Sequence, residues 1–329
     1  MEPSRKKLMV AVILFFFLAP FGVAVKKVYR ELRQPELNSA LIVAIKRNDT
    51  PSVMALLEQG ADANAMDIPP DTRSQWSRLW DYLRRKPLPK VEGTSALFVA
   101  LPWVNLDKGS VPVENVPLIR ALLNAGADIN VVDQHERDPL LIWAILTSRR
   151  ETAKLLLERG ARVDIAGRFG QSALHMAAGH EHDSDLVQRL LERGALVNAK
   201  NDNGDTPLHW AARSSQTHNM RLLMAHGSDI NALNGIGEPP LVEAICYGNA
   251  DCVKLLLARG ALVNTKDSGG DTPLAYAVER NNTEYVRLLL ARGANANSQD
   301  IRGSTPLKEA YQLHNTAIIK MLKKAGAKR

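Results

Sequence analysis

Residues 203–214 read NGDTPLHWAARS and set His209 and Trp210 side by side behind a Thr-Pro step. Alone, the stretch admits a general base, a metal ligand or a stacking platform. In the whole chain it is one copy of a repeated unit. A Gly-Ala pair, once Gly-Ser, falls at Gly60, Gly126, Gly160, Gly194, Gly227, Gly260, Gly293 and Gly326, with separations of 66, 34, 34, 33, 33, 33 and 33. A fixed period of this size marks an array whose units bury their apolar faces only against one another. A Pro-Leu pair stands about 19 residues before each of the last four glycines, beginning at Pro207, Pro240, Pro273 and Pro306.

Each copy has a physical reading. Thr206, Thr272 and Thr305 stand where a hydroxyl accepts from a free amide of a helix's first turn. The proline that follows sits at the first helical position, where no donor is missed. Small residues such as Ala177-Ala178 and Ala211-Ala212 let a second helix approach. That second helix carries runs such as residues 255–257 and 288–290, all leucine, and ends at a glycine that tolerates left-handed geometry. Polar, turn-forming links such as KNDNGD, KDSGGD and QDIRGS join the copies.

With the recurring Thr-Pro-Leu-His-x-Ala element, the chain resembles the ankyrin-repeat family over roughly residues 38–327, in eight copies. Residues 203–231 and 268–297 are the most similar to the family pattern. The resemblance implies an all-α solenoid, with a β-turn and two antiparallel helices per copy stacked into a curved array. It also implies that His209 and His175 are framework histidines, hydrogen-bonded within the repeats. Leu141, Val242, Ala275 and Lys308 take that place in other copies, so the imidazole is optional.

Charge argues against nucleic acid as a partner. The chain carries a net +7, but residues 1–33 hold seven Lys/Arg against two acids, and the last ten residues hold five Lys/Arg. The stretch between them is therefore net −3, and the basic face that nucleic acid needs is absent.

Residues 8–25, LMVAVILFFFLAPFGVAV, are eighteen uncharged positions flanked by Lys7 and Lys26. That length reaches the lower limit for a transmembrane helix and exceeds the usual core of a signal peptide. An uncleaved anchor is the favoured reading. A cleavable signal is the alternative, with small residues at 22–24 behind Pro20. Basic residues flank both sides almost equally, and the balance leans toward repeats outside the cytosol. The domain reading is an anchor or signal over 1–33 and a repeat domain over 34–329.

The 66-residue spacing places an insert at about 66–93. Trp76, Leu79, Trp80 and Leu83 share one helical face there, between proline pairs. A helix packed on the side of the array is the favoured reading. A membrane-surface helix and a docking element are the alternatives.

No phosphate loop, Gly-x-Ser-x-Gly elbow, Cys-x-x-Cys pair or His-Glu-x-x-His helix appears, so the chain reads as non-enzymatic and without a cofactor. HMAAGHEHDSD, residues 175–185, gathers donors of the kind zinc takes, but His175 is at the framework place. Cys246 and Cys252 lie close in sequence and read as thiols rather than a disulfide. The candidate partner-binding strip is the fourth position of each first helix: Val43, Val99, Trp143, Met176, Trp210, Glu243, Tyr276 and Glu309. Turn-tip residues Arg168, Phe169, Asn203, Ile236 and Arg302 border it. Packing against the neighbouring copy is the rival explanation for its large side chains, while Glu243 and Glu309 argue for solvent. The functional expectation is a membrane-anchored scaffold that binds a protein partner through its concave surface. Its alternative is a secreted or periplasmic bacterial protein acting as inhibitor, protector or immunity protein.

Overall fold

The computed structural model describes residues 22–68, 93–101, 114–133, 137–180 and 184–328, with the backbone alone over 22–32. These fall into two compact units, one within residues 1–135 and one within 136–329. Most of the expected membrane span, residues 8–21, and most of the insert, residues 69–92, lie outside the described residues. Among the described residues no helix is long and apolar enough to cross a membrane.

The first unit begins with α1 (Gly22–Lys46), which runs without a break through residues 33 and 34 and contains Pro35. Leu37, Leu41, Ile42, Ala44 and Ile45 bury its inward side. α1 packs on α2 (Thr50–Glu58), which Asp49 caps by accepting from the Ser52 amide at 3.2 Å. Strands β1 (Met66–Asp67) and β2 (Thr94–Ser95) pair antiparallel, with Met66 opposite Ser95. The two ends of the insert are thus held together, and the chain resumes its repeat at α3 (Ala96–Val99) and α4 (Val116–Asn124). This short ladder is an addition to the expected all-α architecture.

The second unit is a regular alternation of short and longer helices. The short ones are α5 (Leu140–Leu146), α7 (Ala173–Gly179), α9 (Pro207–Arg213), α11 (Pro240–Cys246), α13 (Pro273–Glu279) and α15 (Pro306–Gln312). The longer ones are α6 (Arg150–Glu158), α8 (Ser184–Glu192), α10 (Thr217–Ala225), α12 (Ala250–Ala258), α14 (Thr283–Ala291) and α16 (Thr316–Lys324). Each short helix packs on the next short helix and each long helix on the next long one, giving two layers. Leu174, Leu208, Leu241 and Leu274 are fully buried, as are Leu156, Leu223, Leu256 and Leu289 of the second layer. Thr272 and Thr305 cap their helices as the sequence implies, accepting from the amides of Ala275 and Lys308. Gly260 ends α12 at φ +87°, a left-handed value that glycine adopts without strain.

Two hydrogen-bond ladders tie copy to copy. At the turn tips, Asp202 N–H donates to Phe169 O at 3.0 Å, Gly235 N–H to Asn203 O at 2.7 Å, Ser268 N–H to Ile236 O at 2.8 Å and Ile301 N–H to Gly269 O at 2.9 Å. The approach is close enough that a Cβ on Gly235 would stand 2.8 Å from Asn203 O. At the ends of the long helices an asparagine four residues past the glycine reaches the next copy. Asn198 Nδ2 donates to Gly227 O at 3.2 Å, and its Oδ1 accepts from the Asp229 amide at 2.8 Å. Asn264 meets Gly293 O and the Asn295 amide in the same way, and Asn297 meets Gly326 O and the Lys328 amide.

Leu256, with no exposed surface, is the test of this register. Leu256→Ala lowers the unfolding free energy by about 2–5 kcal/mol in chemical denaturation. A midpoint equal to that of wild type would place Leu256 outside the inter-copy core.

Candidate functional site

His209 is fully buried at the third position of α9, where its ring joins two copies. The Thr206 amide donates to Nδ1 at 3.0 Å, the Thr206 hydroxyl lies 2.9 Å from the same atom, and Nε2 lies 3.0 Å from the Glu238 carbonyl. An amide donor at Nδ1 leaves the proton on Nε2, which donates to Glu238 O. His175 repeats the pattern one copy earlier, with the Ser172 amide at 3.1 Å from Nδ1 and Asp205 O at 2.9 Å from Nε2. Both rings therefore use both nitrogens for the frame, and neither serves as a general base or a metal ligand. Burial lowers both imidazole pKa values, with the carbonyl bonds acting in the opposite direction.

The histidine-rich stretch at 175–185 is described only in part. His182 and Asp183 lie outside the described residues, and among the described residues no group of three or more His, Cys, Asp or Glu is placed to hold a metal. Cys246 and Cys252 are both free thiols, and burial pushes Cys252 up to about 11.

The row at the fourth position divides into three environments. Trp143 and Met176 are buried and offer little surface. Trp210 is partly exposed and edge-on to His175, with ring centroids 5.9 Å apart, and among the described residues its Nε1 lies out of solvent without a hydrogen-bond partner. Glu243 is buried, yet it has the partner that burial demands. Arg213 of the preceding copy donates from Nε to Glu243 Oε2 at 3.0 Å and from Nη2 to Oε1 at 2.6 Å, and also reaches Asp205 Oδ2 at 3.1 Å. The same guanidinium lies 5.6 Å from the centre of the exposed Tyr247 ring. Val43 is exposed, while Val99 and Glu309 are partly so.

Beyond Glu243 the polar chain continues. Asn234 Nδ2 donates to Asp205 Oδ1 and Glu238 Oε2 at 3.2 and 3.3 Å. The Tyr276 hydroxyl lies between Glu238 Oε1 at 2.8 Å and Asp267 Oδ2 at 2.6 Å. Burial and then these carboxylates hold the phenol well above its ordinary range. Trp210 and Tyr276 are thus partly exposed at the same place of first helices two copies apart, while Glu243 at that place in the copy between them is buried. The Arg213–Glu243 contact is not legible in the sequence, because the two residues lie thirty positions apart in different copies. The bordering tip side chains Arg168, Phe169, Asn203, Ile236 and Arg302 are exposed, with the Arg168 guanidinium 4.9 Å from the centre of the Phe169 ring.

Comparison with known proteins gives two findings. A family model described as "Ankyrin repeats (3 copies)" matches residues 110–201, 174–267 and 241–328, and one described as "Ankyrin repeat" matches residues 36–68. The chain is also similar to the human protein "Transient receptor potential cation channel subfamily A member 1", at 42% identity over 55 residues. That alignment covers 17% of this chain and 5% of the channel protein.

The buried imidazoles generate a pH prediction. Because their folded values are depressed, the unfolded chain takes up protons first, so stability is full at neutral pH and is lost as the pH falls below about 6.5. Calorimetry from pH 7.5 to 5.5 gives a falling melting temperature, and the fall is shallower in the variant His175→Gln/His209→Gln. Equal slopes in the two proteins would remove these histidines from the acid response.

Proposed function

The chain belongs to the ankyrin-repeat family, and on that premise we propose that it is a non-catalytic scaffold that binds a protein partner, held at a membrane by residues 8–25. Ankyrin arrays offer an extended surface made of first helices and turn tips. The observation that carries the reading is the partly exposed pair Trp210 and Tyr276, bordered by the exposed tip residues Phe169 and Ile236. The tips are fixed by the copy-to-copy ladder, so the surface is formed before a partner arrives and little ordering remains to be done on binding. Aromatic side chains in such a setting are frequent energetic anchors. Trp143, Met176 and Glu243 support the strip from within, and Arg168 and Phe169 contribute a cationic and an aromatic border.

The tether rests on the uncharged run over residues 8–25.

Two experiments test the proposal. A partner recovered by cross-linking of the native chain binds Trp210→Ala more weakly by over about 1 kcal/mol, while this variant melts closer to wild type than Leu256→Ala does. Undiminished binding would remove Trp210 from the interface, and global unfolding would make it purely structural. For the tether, the chain stays with the membrane pellet after carbonate washing and keeps its first 25 residues. A soluble product that begins near Val25 would favour a secreted inhibitor or protector instead.

A further inference from the structure

Copy one follows a helical stretch instead of another copy, and its edge shows how the difference is made good. At the joints further on, one asparagine serves two main-chain groups of the next copy, a glycine carbonyl and the amide two residues beyond it. Asn64 does so for Gly126 O at 3.1 Å and the Asp128 amide at 2.6 Å, and Asn198, Asn264 and Asn297 repeat the contact. In copy one the corresponding groups are Gly60 O and the Asp62 amide, and two residues of α1 divide the task. Gln34 Nε2 donates to Gly60 O at 3.0 Å, and Asn38 Oδ1 accepts from the Asp62 amide at 2.9 Å. Residues four apart share a helix face, and Gln34 Nε2 also donates to Asn38 Oδ1 at 2.9 Å, which joins the two side chains into one unit.

The pair brackets the weakest point of α1. Pro35 has no amide to offer the carbonyl four residues before it, and its ring presses on that turn, a defect that kinks or breaks helices. Gln34 stands on one side of the proline and Asn38 on the other, and both end on the loop that follows α2. Leu37 and Leu41 are buried along the same stretch, so apolar packing and the paired amides hold α1 together where its own ladder is interrupted.

We propose that Gln34 and Asn38 form a clamp that stands in for the asparagine of a preceding copy and splints α1 across Pro35, so that the helical stretch from Gly22 to Arg33 leaves copy one in a fixed direction. The tether then acts as a rigid stalk rather than a loose leash, a use that rests on the membrane reading although the clamp itself does not. At 1.5 Å per helical residue, the end of the uncharged run at Val25 stands about 14 Å from Gln34.

The test uses the full chain in detergent, with Cys246→Ser and Cys252→Ala clearing the native thiols and nitroxides on Val28→Cys and Glu58→Cys, read by double electron–electron resonance. The parent protein gives one narrow distance distribution. Gln34→Glu keeps the size of the side chain and removes the donor; it broadens the distribution, as does Gln34→Ala/Asn38→Ala. Both also speed hydrogen exchange of the Asp62 amide about tenfold. Asn64→Ala removes the same two bonds at the next joint and leaves the distribution unchanged. A broad distribution in the parent, a width that ignores both clamp variants, or equal broadening by Asn64→Ala would overturn the clamp. A chain that fails to float with lipid vesicles but whose distribution still responds to Gln34→Glu would sink the tether and keep the clamp. One that floats while its distribution ignores Gln34→Glu would sink the clamp alone.

Discussion

A helix pair of sixteen or so residues has too little interior to hold itself together, so every copy in this chain depends on its neighbours. Leu208, Leu241 and Leu274 each have no exposed surface, a state a lone pair could not give them. The polar groups follow the same rule. The tip amides, the framework histidines and the asparagines past the long helices all find acceptors or donors in an adjacent copy. These contacts are spread across the copy, so they fix its rotation as well as its spacing. A surface side chain such as Trp210 is positioned by that frame, although it makes none of the bonds.

Much of this was legible in the sequence because it is local and periodic. The glycine period, the Thr-Pro-Leu step and the leucine runs each state a turn, a cap or a buried face through properties of the residues themselves. His209 was readable as frame because the same place recurs with an imidazole and without one. The asparagines at 64, 198, 231, 264 and 297 also recur at a fixed distance from the glycine, a local signal of the link to the next copy. The paired strands that join the ends of the insert gave no warning, since two residues are too few for a periodic pattern.

The candidate surface was less legible, for a physical reason. Whether an acid at the fourth position is buried or exposed depends on the seventh position of the copy before it. Glu243 follows Arg213 and is buried, whereas Glu309 follows Glu279 and is partly exposed. The periodic pattern alone treats these two glutamates as equivalent. Their difference emerges only when the copies are superposed and charges are compared across the joint. Charge is therefore the property by which otherwise similar copies acquire distinct identities along the array.

The framework histidine has a further consequence for how such a chain can drift. Its bond to the next copy ends on a main-chain carbonyl, of Asp205 in one case and Glu238 in the other. No substitution in the accepting copy can delete that oxygen, so the joint is exposed to mutation from one side only. Val242, Ala275 and Lys308 occupy the donor's place, and none of these exchanges requires a matching change in the neighbour. A side-chain pair such as Arg213 with Glu243 is different, because loss of either end leaves the other charge without its partner. The histidine joint is thus open to change from one copy only, and the ion pair from both.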